Sequence, residues 1–87
     1  RELILQLRER MGGNAVVILG ASAAVRATVM VAAGVDAVAS GKDSGALAKR
    51  AAEVLGGGGG GKKDLAQGGG PELTNLEQAI AEAKALL

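Results

Sequence analysis

The stretch from Gly56 to Gly70 limits what this chain can fold into more than any other. Six consecutive glycines (Gly56 to Gly61) are followed by Lys62, Lys63, Asp64, Leu65, Ala66 and Gln67, and then by Gly68, Gly69 and Gly70. Ordering a glycine costs about 0.5–1 kcal/mol more backbone entropy than ordering an alanine, so a folded run of this kind requires close contacts to its bare main chain. Three roles compete. Glycine-rich chains are flexible coils, which fits a linker; against that, the run contains no serine, two lysines follow at once, and helical patterns flank it. Gly56 and Gly61-Lys62 match the first part of G-x-x-x-x-G-K-[ST], but position 63 is Lys where a hydroxyl should hold Mg²⁺, and the residues before the run read as helix rather than strand. The third role is a landing surface, in which a backbone free of side chains admits a bulky anionic partner and Lys62 and Lys63 supply the charge.

Around this stretch the hydrophobic period switches between helix and strand. Residues 1–11 (RELILQLRERM) read as a helix with Leu3, Leu7 and Met11 at four-residue spacing and Ile4 beside them, stopped by Gly12-Gly13. It starts without a cap, like the end of a longer connecting helix, and residues 12–87 then form one small globular domain. Ala15 to Ala21 is a continuous apolar run, which suits a strand covered on both faces. After a turn at Ser22-Ala23-Ala24, Val25 to Ala33 alternates, with Val25, Ala27, Val29, Val31 and Ala33 on one side and Arg26, Thr28, Met30 and Ala32 on the other. These two segments are expected to pair as an antiparallel hairpin closed by Gly34, with Arg26 on the less buried face, either as a nucleic-acid contact or, the safer reading, as a solvated strand residue.

Val35 to Gly45 is irregular, with room for one short helical turn, and Asp43 or Ser44 can cap a helix from Ala46 to Leu55 whose apolar stripe is Leu47, Ala51, Val54 and Leu55. Asp64 to Gln67 is long enough for a short strand added to the hairpin, which makes residues 56–61 a glycine-rich loop of fixed shape. Thr74 and Glu77 have capping-box spacing and open a last helix to Leu87 with Leu76, Ile80, Ala83 and Leu87 buried. The expected class is α+β, helices packed on a small, largely antiparallel sheet.

Composition narrows the chemistry. With 87 residues, 48% apolar content and no aromatic residue, one domain with an alanine- and valine-rich core is all the chain can build. No cysteine means no disulfide or thiolate nucleophile, and no histidine removes the usual general base and the commonest transition-metal ligand. With the carboxylates scattered, no catalytic site, metal or cofactor is expected in the chain itself. The net charge of +1 is unevenly spread: residues 1–63 carry nine Lys/Arg and five Asp/Glu, a net of +4, and residues 64–87 one Lys and four Asp/Glu, a net of −3. No apolar run approaches the roughly 18 residues of a membrane span and no signal peptide opens the sequence, so a cytoplasmic setting without a membrane partner is expected.

The order Gly56–Gly61, Lys62-Lys63-Asp64, Leu65, Ala66-Gln67, Gly68-Gly69 resembles a signature near the carboxyl end of bacterial-type alanyl-tRNA synthetases: a glycine run, Arg-Pro-Asp, an apolar residue, Ala-Gln and further glycines. The resemblance extends over essentially all of the chain and implies the C-terminal globular domain of such an enzyme. Lys62-Lys63 departs from Arg-Pro, keeping positive charge without the guanidinium fork or the stiffness of proline. The parent enzymes activate alanine with ATP, esterify it to tRNA and edit mischarged serine or glycine in domains that this chain does not include.

The resemblance implies tRNA as partner, gripped at the outer corner where the D- and T-loops meet. It names Gly57, Gly58, Gly59, Gly60, Gly61, Lys62, Lys63, Gln67, Gly68 and Gly69 as RNA-binding residues. With no Phe, Tyr or Trp to stack splayed bases, recognition would be of shape, phosphate and 2′-OH. On that basis Gly58→Val or Gly59→Val is expected to weaken binding more than it lowers the melting temperature. Two other readings stand beside it. The domain attached to DHH-type phosphoesterases also uses a glycine-rich segment, though usually with a histidine after it; and a structural dimerisation module would use the glycines for close packing between subunits. Leu3 and Leu7 either face a partner, giving a homodimer through the N-terminal helix, or cover the domain's own sheet.

Overall fold

A computed structural model of the chain describes residues 2–87. The elements are α1 (Glu2–Met11), β1 (Val16–Ser22), β2 (Ala27–Ala33), α2 (Val35–Ala39), α3 (Ser44–Val54), β3 (Gly58–Gly61), β4 (Leu65–Gly70), a 3₁₀ turn (Leu73–Asn75) and α4 (Leu76–Ala85). The expectation for Arg1 lies outside the described residues. The four strands form one sheet in the order β1-β2-β4-β3, antiparallel at every pairing, so the fold is α+β as the residue pattern indicates.

Two apolar clusters hold helices to the two faces of the sheet. On one face Ala27, Val29, Val31 and Ala66 meet Leu47, Ala51 and Leu55 at α3 and Ala79 and Ala83 of α4. Val29 and Val31 are fully buried, and removing a valine from water contributes about 1.5–3 kcal/mol each. On the other face Ile4 of α1 packs with Val17 and Ala32, flanked by Leu5, Leu7, Leu19, Met30 and Leu65. The apolar run of β1 is thus covered on both sides over Val16–Leu19, although β1 is an edge strand and its far end, Gly20–Ser22, is exposed.

Several local expectations are revised. In α1 the deepest residue is Ile4, fully buried, whereas Leu3 and Met11 are 62% and 63% exposed; the helix seats mainly on β1 and β2, too narrow for the whole predicted stripe. Leu7 belongs to the domain's own core. Strand β2 begins at Ala27, because Ala23 N–H donates to Arg26 C=O (2.8 Å) and draws Val25 into the turn, 80% exposed. The short helical turn expected after Gly34 is the five-residue α2.

The capping box at Thr74 and Glu77 does not form. Residues 73–75 take a 3₁₀ turn, and Asn75 at the start of α4 donates its side-chain amide to Val54 C=O (3.1 Å) instead of capping. Tying the turn to the end of α3 outweighs a local cap. Leu87 is exposed, beyond the end of α4. Asp43 does cap α3, its Oδ1 accepting from Gly45 N (2.9 Å) and Ala46 N (3.3 Å).

Helices α3 and α4 are also joined at the surface, where Arg50 donates to the Glu82 carboxylate, which accepts a second bond from Gln78 (3.2 Å). The hydrogen bond from Arg50 comes first and that from Gln78 second in holding the Glu82 carboxyl below the ordinary carboxylate range. The unfolded chain therefore takes up a proton at Glu82 at a pH where the folded chain does not. The stabilisation is present above the unfolded value, about 4.3, and is lost as the pH falls through the lower folded value. Between pH 6 and pH 3 the melting temperature of the wild type is expected to fall more steeply than that of Glu82→Gln; equal slopes by circular dichroism would remove this pair from the account. The effect is small, since the pair is solvent-exposed.

Candidate nucleic-acid interface

The glycine run is not a loop. Gly58 to Gly61 form the edge strand β3, paired in register with β4: Gly58 with Gly69, Gly59 with Gly68, Gly60 with Gln67 and Gly61 with Ala66. The second glycine group, Gly68 to Gly70, lies inside β4 and pairs with Val29, Thr28 and Ala27 on its other side. Four of the six residues in the first run therefore take a regular extended partner, which satisfies their backbone groups and accounts for part of the order that the composition demanded.

Alternation along the strands sorts these glycines into two sets. Those on the α3 face are required by packing. A Cβ on Gly68 would sit 2.7 Å from Ala48 C=O and 2.9 Å from the Ala52 methyl, and one on Gly70 2.3 Å from Leu55 C=O, so α3 rests directly on the β4 main chain. Across the hairpin a Cβ on Gly59 would lie 2.4 Å from Gly68 Cα, and one on Gly57 1.9 Å from Gly69 C=O. Gly61, with a Cβ position 2.8 Å from Ala66 and φ of +154°, belongs to the same set. On the opposite face α1 covers mainly the β1–β2 half and, of β4, Leu65. There Gly58 and Gly60 meet nothing within 4 Å, and Gln67, the partner of Gly60, is exposed. Gly69, the partner of Gly58, lies under the Arg26 guanidinium.

Of the ten residues singled out by sequence, Gly58, Gly60 and Gln67 are exposed on the open face; Gly69 shares that face but is buried, a Cβ there lying 2.4 Å from Ala27 C=O, so with Gly57, Gly59, Gly61 and Gly68 it has a structural duty; Lys62 and Lys63 stand at the end of the β3–β4 hairpin. That end is fixed at four points. Lys62 N–H donates to Leu65 C=O (3.0 Å), Lys63 C=O accepts from Ser44 N (2.9 Å), and Asp64 C=O accepts from Ala33 N (2.9 Å) and from the Arg8 guanidinium (3.1 Å). Both lysines are exposed, and among the described residues neither has a carboxylate within ion-pair distance. The Asp64 carboxylate is 3.9 Å from Arg8. Nothing in the sequence singles out Arg8, because a contact 56 residues away in sequence leaves no local signal. An open cleft of about 500 Å³ adjoins the hairpin, lined by Arg8, Gly13, Gly34, Val35, Lys63 and Asp64.

A four-stranded antiparallel sheet with helices on both faces, and a side-chain-free strip edged by cations where one helix stops short, defines a small α+β domain with one bare, cation-edged half-face. The chain belongs to the DHHA1 domain family, whose profile matches residues 1–87. Among curated relatives, an "Alanine--tRNA ligase" of Acidothermus cellulolyticus is 46% identical over 83 residues, covering 95% of this chain and 9% of that protein. The protein of the same name from Leifsonia xyli is 50% identical over 82 residues, 93% of this chain and 9% of its own. The one from Herpetosiphon aurantiacus is 45% identical over 87 residues, 100% and 10% respectively. The chain thus spans about a tenth of the length of these relatives. Among solved structures, the C-Ala domain from Aquifex aeolicus alanyl-tRNA synthetase superposes with a TM-score of 0.87 at 28% identity, over 100% of this chain and 77% of that one.

Proposed function

We propose that this chain is the tRNA-binding C-terminal domain of an alanyl-tRNA synthetase, and that it holds the tRNA elbow by shape and phosphate backbone. In that role it helps to present the acceptor end to the aminoacylation and editing sites of the parent enzyme, in the cytoplasm. The observation that carries this reading is a bare half-face of sheet beside two exposed lysines on a pinned hairpin, neither of them ion-paired among the described residues. A flat ribose or base-pair edge can approach Gly58 and Gly60 without meeting a side chain, while Lys62 and Lys63 neutralise phosphate. Because the hairpin end is anchored to α1, β2 and α3, the lysines are presented by a rigid support, which lowers the ordering cost of binding. A few lysine contacts give modest, salt-sensitive affinity, suited to a module tethered to tighter sites.

The test is a titration of the 87-residue chain with folded tRNA and with single-stranded oligonucleotide at two salt concentrations. Binding to tRNA that weakens with salt is the expected result. A preference for single strands would point to the role expected of a phosphoesterase-attached domain, and absence of binding together with a concentration-dependent mass to a dimerisation module; either outcome overturns the proposal.

A further inference from the structure

We infer that Arg26 is a further RNA-binding residue, a guanidinium held at the opposite end of the glycine face from Lys62 and Lys63 that takes a phosphate those lysines do not reach. The inference rests on the tRNA-binding reading above and adds a contact to it.

Arg26 sits at the last position of the β1–β2 turn, where its carbonyl accepts from Ala23 N–H (2.8 Å), so its backbone is fixed. From the turn its side chain reaches over β4 at Gly69. A Cβ built on Gly69 would be 2.4 Å from Ala27 C=O, so the β2 main chain itself requires glycine there, and 3.2 Å from both Nε and NH2 of Arg26, so the guanidinium lies against bare main chain. Next to Gly69 in the sheet is Gly58, with nothing within 4 Å of its Cβ position. The cation therefore borders the open face rather than facing away from it.

Among the residues whose side chains the structure describes, none pairs with this charge. Among the described residues Arg26 makes no side-chain hydrogen bond and no ion pair, whereas Arg8 is engaged by Asp64, and Arg50 by Glu53 and Glu82. The neighbouring cross-strand rows, Thr28–Gly69–Gly58 and Met30–Gln67–Gly60, contain no carboxylate. A planar fork of donors, unpaired and lying on a side-chain-free floor, suits bidentate recognition of a phosphate. From Gly58 to Lys62 the strand advances four residues, about 13 Å, which is too far for one phosphate to meet both ends. Arg26 and Lys62 therefore act on different nucleotides, and their losses should add.

The experiment compares the 87-residue chain with Arg26→Ala, Arg26→Lys, Lys62→Ala and the Arg26→Ala/Lys62→Ala pair, titrating each with folded tRNA across a salt series and recording thermal melts. Arg26→Ala is expected to bind roughly ten-fold more weakly, with the slope of log affinity against log salt shallower by about one and the melting temperature unchanged. Arg26→Lys should recover the slope but not the full affinity, and the double variant should show the product of the two single losses. If the wild type binds and Lys62→Ala weakens it, while Arg26→Ala alters neither affinity nor slope, the role of Arg26 is overturned and the tRNA-binding reading stands. If the wild type does not bind tRNA, both fall. Should Arg26→Ala also lower the melting temperature, Arg26→Gln decides. A restored melt with binding still weak supports the contact; restoration of both shows that Arg26 serves only the fold.

Discussion

Gly59→Val is expected to abolish cooperative folding, while Gly58→Val, one residue away in the same run, leaves the melting temperature close to that of the wild type. The difference follows from which way each Cα points. A Cβ at 59 would lie 2.4 Å from Gly68 Cα and 2.9 Å from Gln67 C=O, both main-chain atoms of the paired strand, so the β3–β4 pairing itself must open. A domain of 87 residues has roughly 4–13 kcal/mol of total stability, and a clash with backbone that no rotamer can relieve consumes much of it. At 58 the Cβ meets nothing within 4 Å. Gly58→Ala should even stabilise by about 0.4–1 kcal/mol by restricting the unfolded chain. Thermal melts of the three variants check this; a folded Gly59→Val with wild-type stability would contradict the pairing. The expectation that valine at either position weakens binding more than folding thus survives only for Gly58, where the added methyls stand on the open face and obstruct a ligand without touching the fold.

Lys62→Glu combined with Lys63→Glu is expected to reduce tRNA affinity by roughly a hundred-fold or more while leaving the melt unchanged. Two favourable phosphate contacts become two repulsions, and the effect should shrink as salt is raised. Folding is spared because the hairpin end is held by main-chain groups, Lys62 N–H, Lys63 C=O and Asp64 C=O, which the substitutions leave in place, and because both side chains are exposed. Unchanged affinity in a filter-binding assay, with the melt intact, would sink the assignment of these lysines to the interface. A collapsed melt would be a surprise of a different kind, since among the described residues neither side chain makes a hydrogen bond or an ion pair.

How much of this could be read from residues alone depends on how far apart the interacting parts are in the chain. Leu47, Ala51 and Leu55 declare a helix face by their spacing, and the alternation from Ala27 to Ala33 declares a strand, because both patterns record a surface facing one core. Asp43 sits where an N-cap must sit, and its carboxylate caps. The Thr74–Glu77 spacing was equally good and failed, because Asn75 found a carbonyl on α3 that no local window contains. The surroundings of Arg8 and Arg26 have no local signal either, since Asp64 and Gly69, which they approach, are dozens of residues downstream.

The glycine stretch shows the same division. Its composition alone determined that main chain must come close to something, since ordering so many glycines without such contact is too costly in entropy. Which glycine meets what was decided only by the tertiary structure. The pairing of β3 with β4 and the docking of α3 on one face turn alternate residues inward against backbone, at Gly57, Gly59 and Gly68, and leave Gly58 and Gly60 facing open space because α1 packs over β1 and β2 instead. A run of identical residues carries no pattern from which to read a face, so the distinction between glycines that build the fold and glycines that expose it arises only once strands and helices are in place.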